Sequence, residues 1–149
     1  NSVIYRLLLP KMAKNITNKT HAKHLLLQGL LISLCIGIPC AFFFYFFSDV
    51  PLQVVYNTTL GSNYLKYLAI PFTLYYIQTP LVCFIQASGL DYMLVFASFT
   101  QSLITLLLLG LLLPIYYEKA YLFCFLCGLL TSTLIYLLTI YHQLFRNKK

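Results

Sequence analysis

The chain has 149 residues, of which 60% are hydrophobic and 9% charged, with ten Lys and Arg against three acids and a net charge of +7. A water-soluble domain of this size carries about a quarter charged residues on its surface, so this composition excludes an ordinary soluble globule. The basic pI of 9.2 does not point to nucleic acid either, because the cations sit at the ends of apolar runs rather than on one continuous face, an arrangement that suits anionic lipid headgroups.

The chain opens in a short apolar segment, 1–10, which reads as the end of a span, so a longer polypeptide is expected to precede it. Arg6 lies in that segment, as either an end-cap of the span or a cation facing a cavity. A basic amphipathic link follows over 11–24, with Lys11, Lys14, Lys19 and Lys23. His21 and His24 are one helical turn apart beside Lys23. Two imidazoles are too few for a metal site, and a solvated interfacial helix explains them.

Four long apolar runs come next, over 25–47, 63–86, 92–114 and 120–145. At 1.5 Å per residue each is long enough for a hydrocarbon core of roughly 30 Å, so the fold expected is all-α, a polytopic transmembrane helical bundle. Pro39, two residues after Gly37, predicts a kink in the first span. A hydrophilic segment, 48–62, leads to the second span, which is the most interrupted, with Lys66, Pro71, Gln78 and Pro80. Ser88-Gly89-Leu90-Asp91 reads as a tight turn, with Asp91 capping the third span. The leucine-rich end of that span is expected to face lipid, and residues 115–119 form a short connection to the last.

Seven cations, Lys11, Lys14, Lys19, Lys23, Arg146, Lys148 and Lys149, fall before the first span or after the last, whereas only Lys66 and Lys119 fall at the other membrane face. Four passes place the two basic segments on one side, and the positive-inside rule makes that side cytoplasmic.

Polar and prolyl positions inside spans concentrate function, because lipid cannot satisfy them. Lys66 reads either as a lysine snorkelling to headgroups or as a cavity cation meeting a phosphate or carboxylate. Gln78 and Gln86 lie roughly on one face and either join helices or hydrogen-bond a sugar. Pro71 and Pro80 free carbonyls in a way that transporters tolerate where the helix lines a cavity. The five cysteines, including Cys124 and Cys127, fall within apolar runs and read as small packing residues. No nucleophile, paired carboxylate or phosphate-cradling glycine loop is present, so neither an enzyme nor a cofactor is expected.

The motifs Leu8-Leu9-Pro10 with Ala13-Lys14, then Gly37-Ile38-Pro39, Tyr64-Leu65-Lys66-Tyr67-Leu68-Ala69 and Gln86-Ala87-Ser88-Gly89 follow one another at defined spacings. In this order they resemble the C-terminal region of the polysaccharide exporter and flippase family, in the stage V sporulation protein B-like branch. Tyr116-Tyr117-Glu118-Lys119 departs from the Gly-rich entry to the last span found in relatives. The resemblance implies four spans of a transporter of twelve to fourteen helices, partnered by an N-terminal lobe and working by alternating access. The implied cargo is a polyprenyl-pyrophosphate-linked saccharide, with Lys66 and Arg6 as cations for phosphate, Gln78 as a head-group contact, and Pro39, Pro71 and Pro80 as kink or gating positions. A multidrug cation antiporter of the same superfamily and a non-transporting scaffold subunit are the alternatives.

Overall fold

A computed structural model describes residues 2–16, 18–116 and 118–145. The side chains of 2–4, 19, 115, 116, 118, 119 and 145 are not described, so Lys19, Lys119, Arg146, Lys148 and Lys149 of the charge count lie outside the described side chains. Six helices form: α1 (Ser2–Asn15), α2 (Lys19–Phe46), α3 (Asp49–Tyr56), α4 (Ser62–Ala87), α5 (Asp91–Tyr116) and α6 (Glu118–Phe145). Four are long and apolar enough to cross a membrane, over Thr20–Phe46, Ser62–Ala87, Asp91–Pro114 and Ala120–Leu144. The protein is a polytopic all-α membrane bundle.

Three boundaries differ from the sequence reading: the segment 48–62, Asp91, and the connection expected over 115–119, where α5 runs on to Tyr116 and α6 starts at Glu118. The amphipathic link over 11–24 is almost entirely helical, in line with the interfacial helix read at His21 and His24: α1 continues through Pro10 to Asn15 and α2 starts at Lys19. Lysines and histidines with long or flexible side chains extend a helix past the hydrocarbon at no cost, because their polar ends face water. The segment 48–62 contains the short helix α3, ended by Asn57 in the left-handed region at φ 52°. Asp91 is the first residue of α5 rather than its cap. Its carboxylate still favours the positive end of the helix dipole.

Helix direction follows from the contacts. Gly29 of α2 lies against Pro80 of α4, Gly37 against Tyr76, and Phe44 stacks on Phe72 at 5.8 Å, so the two helices are antiparallel. Gln78 of α4 meets 129–133 of α6, while Leu68 to Tyr75 share a groove with Tyr121 and Phe125, so α4 and α6 are parallel. Gly128 of α6 faces Gln101 and Thr105 of α5, while Tyr136 shares a cavity wall with Leu94 and Ser98, so α5 and α6 are antiparallel. The N-terminus of α2 and the C-terminus of α6 therefore share one membrane face, called here the basic face.

The packed core, including Leu8, Met12, Leu26, Leu81, Phe84, Ile85, Ala97 and Ile140, lies in the half of the bundle nearest that face. α1 closes it by filling the groove between α2 and α4. Small residues make these approaches possible. A Cβ at Gly29 would come within 3.1 Å of the Pro80 ring, and one at Gly128 within 3.3 Å of the Gln101 carbonyl. In lipid, where apolar burial drives little association, such close backbone packing carries much of the stability. α5 is the outlier: only 6% of its span is buried, and Leu106, Leu107 and Leu111 face outward, as its leucine content predicts.

The turn between α4 and α5 shows how the chain reverses. Leu90 N–H donates to Ile85 O and Gly89 N–H to Gln86 O, with Gly89 at φ 70°. This is a Schellman motif, and it satisfies carbonyls that the end of α4 would otherwise leave unpaired.

Candidate functional site

One face of α4 carries the site. Tyr75, Gln78, Thr79 and Val82 follow at i, i+3, i+4 and i+7 and line a cavity of about 430 Å³, a volume within the range of small-molecule sites. The remaining walls are Leu94, Ser98 and Gln101 of α5, Tyr136 of α6 and Tyr5 of α1. Three tyrosines, two glutamines, a serine and a threonine bring polar groups to a lining whose surface is otherwise mostly apolar, and no carboxylate or ammonium is among these residues. Hydroxyls, amides and aromatic faces on the inner side of membrane helices can hydrogen-bond and stack on a neutral polyhydroxylated ligand.

Gln78 is buried, and its role is partly fixed. Its Nε2 donates toward Leu129 O at 3.0 Å, Ser132 Oγ at 2.9 Å and Thr133 Oγ1 at 2.9 Å. Both hydroxyls in turn donate to Leu129 O, so α6 presents a ready-made acceptor cluster to one amide. Gln78 thus joins α4 to α6 and also lines the cavity. Gln86 plays the corresponding part toward α1, where the Tyr5 hydroxyl donates to its Oε1. Tyr136 of α6 and Ser98 of α5 both stand in the cavity wall. Hydrogen bonds from Tyr5 and Gln78 of the cavity wall thus join α1 and α6 to α4.

The other predicted positions are dispersed. Lys66 is half-buried in the second turn of α4, about 18 Å along the helix from Gln78 at the standard rise, and is not part of the cavity wall. Arg6 is exposed and also outside the wall, although the preceding residue, Tyr5, lines it. Pro71 and Pro80 are buried, whereas Pro39 is exposed, and α2 and α4 remain helical through all three. Pro80 packs against Gly29, so its ring serves the contact with α2. The cysteines are free, with Cys83 and Cys124 buried. Among the described residues no three His, Cys, Asp or Glu side chains converge.

Sequence reasoning missed Tyr5, Thr79, Ser98, Gln101, Ser132, Thr133 and Tyr136. Gln101 stands in the middle of an otherwise leucine-rich span, and Thr131-Ser132-Thr133 puts three hydroxyls at mid-span in α6, signals of the same kind that singled out Gln78. A second groove, of about 220 Å³, adjoins the cavity and is lined by Leu68, Pro71, Phe72 and Tyr75 of α4 with Tyr121 and Phe125 of α6.

No family model matches the chain, and no curated protein or solved structure matches it. The resemblance to the exporters and flippases rests on the order of its sequence motifs.

Proposed function

We propose that this chain is part of a membrane carrier that flips or exports a polyprenyl-pyrophosphate-linked saccharide by alternating access, together with an opposing lobe, and that it is not an enzyme. The observation that supports this reading most is the cavity wall, whose amides, phenols and hydroxyls suit a saccharide and whose lack of acids does not favour an organic cation. The motif order adds the lipid carrier. In this reading the basic face is cytoplasmic and holds anionic lipids. Lys66 and Arg6 lie outside the cavity wall and would meet the pyrophosphate on its way in or out, while Gln78 touches the saccharide.

The test is translocation of a fluorescent polyprenyl-pyrophosphate disaccharide in proteoliposomes, comparing the full-length protein with its Gln78→Leu and Lys66→Gln variants. Gln78→Leu removes one inter-helix amide, a loss of about 1 kcal/mol in lipid, and the fold should survive it. Transport that collapses in this variant while its melting temperature barely moves supports a cargo contact beyond the α6 tie. If wild-type protein moves no lipid-linked saccharide but moves an organic cation, the antiporter reading takes its place.

A further inference from the structure

Lys66 begins a stripe on α4 that the cavity does not use. At the standard helical period Lys66, Ala69, Ile70 and Thr73 share one face, roughly opposite the face of Tyr75, Gln78, Thr79 and Val82. The surroundings agree with that count. Ala69, Ile70 and Thr73 line an apolar groove of about 300 Å³ whose other wall is the 41–46 part of α2, whereas no residue of α2 lines the cavity.

The α2–α4 groove has a floor of small side chains and a wall of rings. Ala41 and Ala69 leave room between the two helices, and Phe42 stacks on Phe46 at 5.9 Å with the rings nearly parallel. Thr73 donates its hydroxyl to Ala69 O within α4, so the groove is almost wholly apolar. Phe42, Phe46 and Ile70 are exposed and leave it open to lipid. Its level in the membrane follows from the antiparallel pairing: 41–46 ends α2 and 69–73 falls in the second and third turns of α4, in the half away from the basic face. The cavity draws instead on the early part of α5 (94–101) and the later parts of α4 and α6 (78–82 and 136), in the half nearest the basic face.

Lys66 stands at the outer end of the groove, three residues before Ala69 and so about 4.5 Å nearer the headgroups. It is half-buried, and no hydrogen bond or ion pair joins it to another described residue. Asp49 of α3, an acid on the same face, is exposed and is not its partner. A cation at the headgroup end of an apolar groove is complementary to a lipid whose head carries net negative charge. A zwitterionic head brings an ammonium of its own to compete with the lysine.

We propose that Lys66 and the α2–α4 groove form a site for a resident anionic phospholipid, with its phosphate on Lys66 Nζ and the upper part of one acyl chain along Phe42, Phe46 and Ile70. This lipid is not cargo. Its site lies across α4 from the cavity, and the inference goes beyond the transport reading without resting on it. A cargo pyrophosphate that meets Lys66 has to displace this phosphate from it. Because lipid and groove are equally apolar, the groove fixes where the chain lies and Lys66 sets which head is kept. The packed core fills the half of the bundle nearest the basic face, and here the lipid fills the gap between α2 and α4 in the other half.

Photocrosslinking tests this in the full-length protein. Phosphatidylcholine proteoliposomes receive a trace of phosphatidylglycerol or of phosphatidylcholine, each with a diazirine near the top of one acyl chain, and adducts are mapped by mass spectrometry. Phosphatidylglycerol should label 41–46 and 69–73 roughly five-fold more than phosphatidylcholine does, the size of one lysine–headgroup contact. Leu106, Leu107 and Leu111, which face outward on α5, should be labelled equally by both. Lys66→Gln should abolish the preference and Lys66→Arg should keep it, and neither change touches the packed core. Ala69→Leu, which fills the floor of the groove, should lower labelling by both lipids. The same ratio at the groove as at α5, or a preference that survives Lys66→Gln, overturns the proposal. Transport lost in Lys66→Gln with the phosphatidylglycerol preference unchanged would assign the lysine to the cargo and overturn it as well.

Discussion

At the scale of single residues, the bundle depends on a few positions where the backbone allows only one kind of side chain. Gly89 has φ 70°, and nothing lies within 4 Å of where its Cβ would be. A substitution there therefore tests backbone strain alone, without a steric clash. Gly89→Ala is expected to lower the unfolding free energy in detergent by about 1 kcal/mol, because an L side chain is disfavoured in the left-handed region. Gly89→Asn should cost less, since asparagine tolerates that conformation at helix ends. Equal losses for the two variants would mean that the turn relaxes and the Schellman geometry is not what holds α4 to α5. Gly128 is limited differently. Its restriction is the Thr105 hydroxyl and the Gln101 backbone on α5, and so it belongs to helix packing rather than to turn geometry.

At the scale of elements, the four spans are legible in the sequence because lipid demands an uninterrupted apolar run of nearly fixed length, and few sequences meet that condition by accident. Helix ends are less legible. Lys19 to His24 are helical because polar side chains beyond the hydrocarbon do not oppose helix formation, and the one-turn spacing of His21 and His24 is the sign of it in the sequence. α3 is only eight residues long, and Pro51 in its first turn makes the sequence look like a connection even though that position tolerates proline. The site is legible in half. The α4 stripe can be read by helical spacing, but its partners on α1, α5 and α6 depend on how each helix is rotated, which one sequence does not state. α3 also carries a prediction. None of its residues is buried, and Val54, Val55 and Tyr56 stand 79%, 67% and 71% exposed directly after a candidate span. These apolar side chains next to a bilayer are expected to lie at the headgroup–acyl boundary, as interfacial helices do. The protein has no tryptophan, so Val54→Trp introduces a lone indole. Its emission should be blue-shifted and quenched by lipids brominated near the headgroup more than by those brominated near the chain end. Water-like emission that bromolipids leave unquenched would place α3 off the membrane.

For the whole molecule, direction and charge make one joint prediction. The contacts run α2 and α5 one way and α4 and α6 the other, which puts the start of α2 and the end of α6 on the same face. The exposed cations Lys11, Lys14 and Lys23 gather at that face, whereas α3 and the α3–α4 connection lie at the other. The positive-inside rule then predicts that the basic face is cytoplasmic and that Leu60, 86% exposed, is external. Cysteines introduced singly at Lys14 and Leu60 test this with a membrane-impermeant maleimide, since the native cysteines all lie within spans. In intact cells Leu60→Cys should be labelled and Lys14→Cys should not, and permeabilisation should expose the second site. The reverse pattern would put the basic face outside. The polar cavity would then lie in the outer half of the membrane, and a carrier taking its cargo from the cytoplasmic leaflet could not present that cavity to the head group first. Labelling of both sites in intact cells would break the four-pass topology itself, and with it the assignment of cavity and groove to opposite halves of the bilayer.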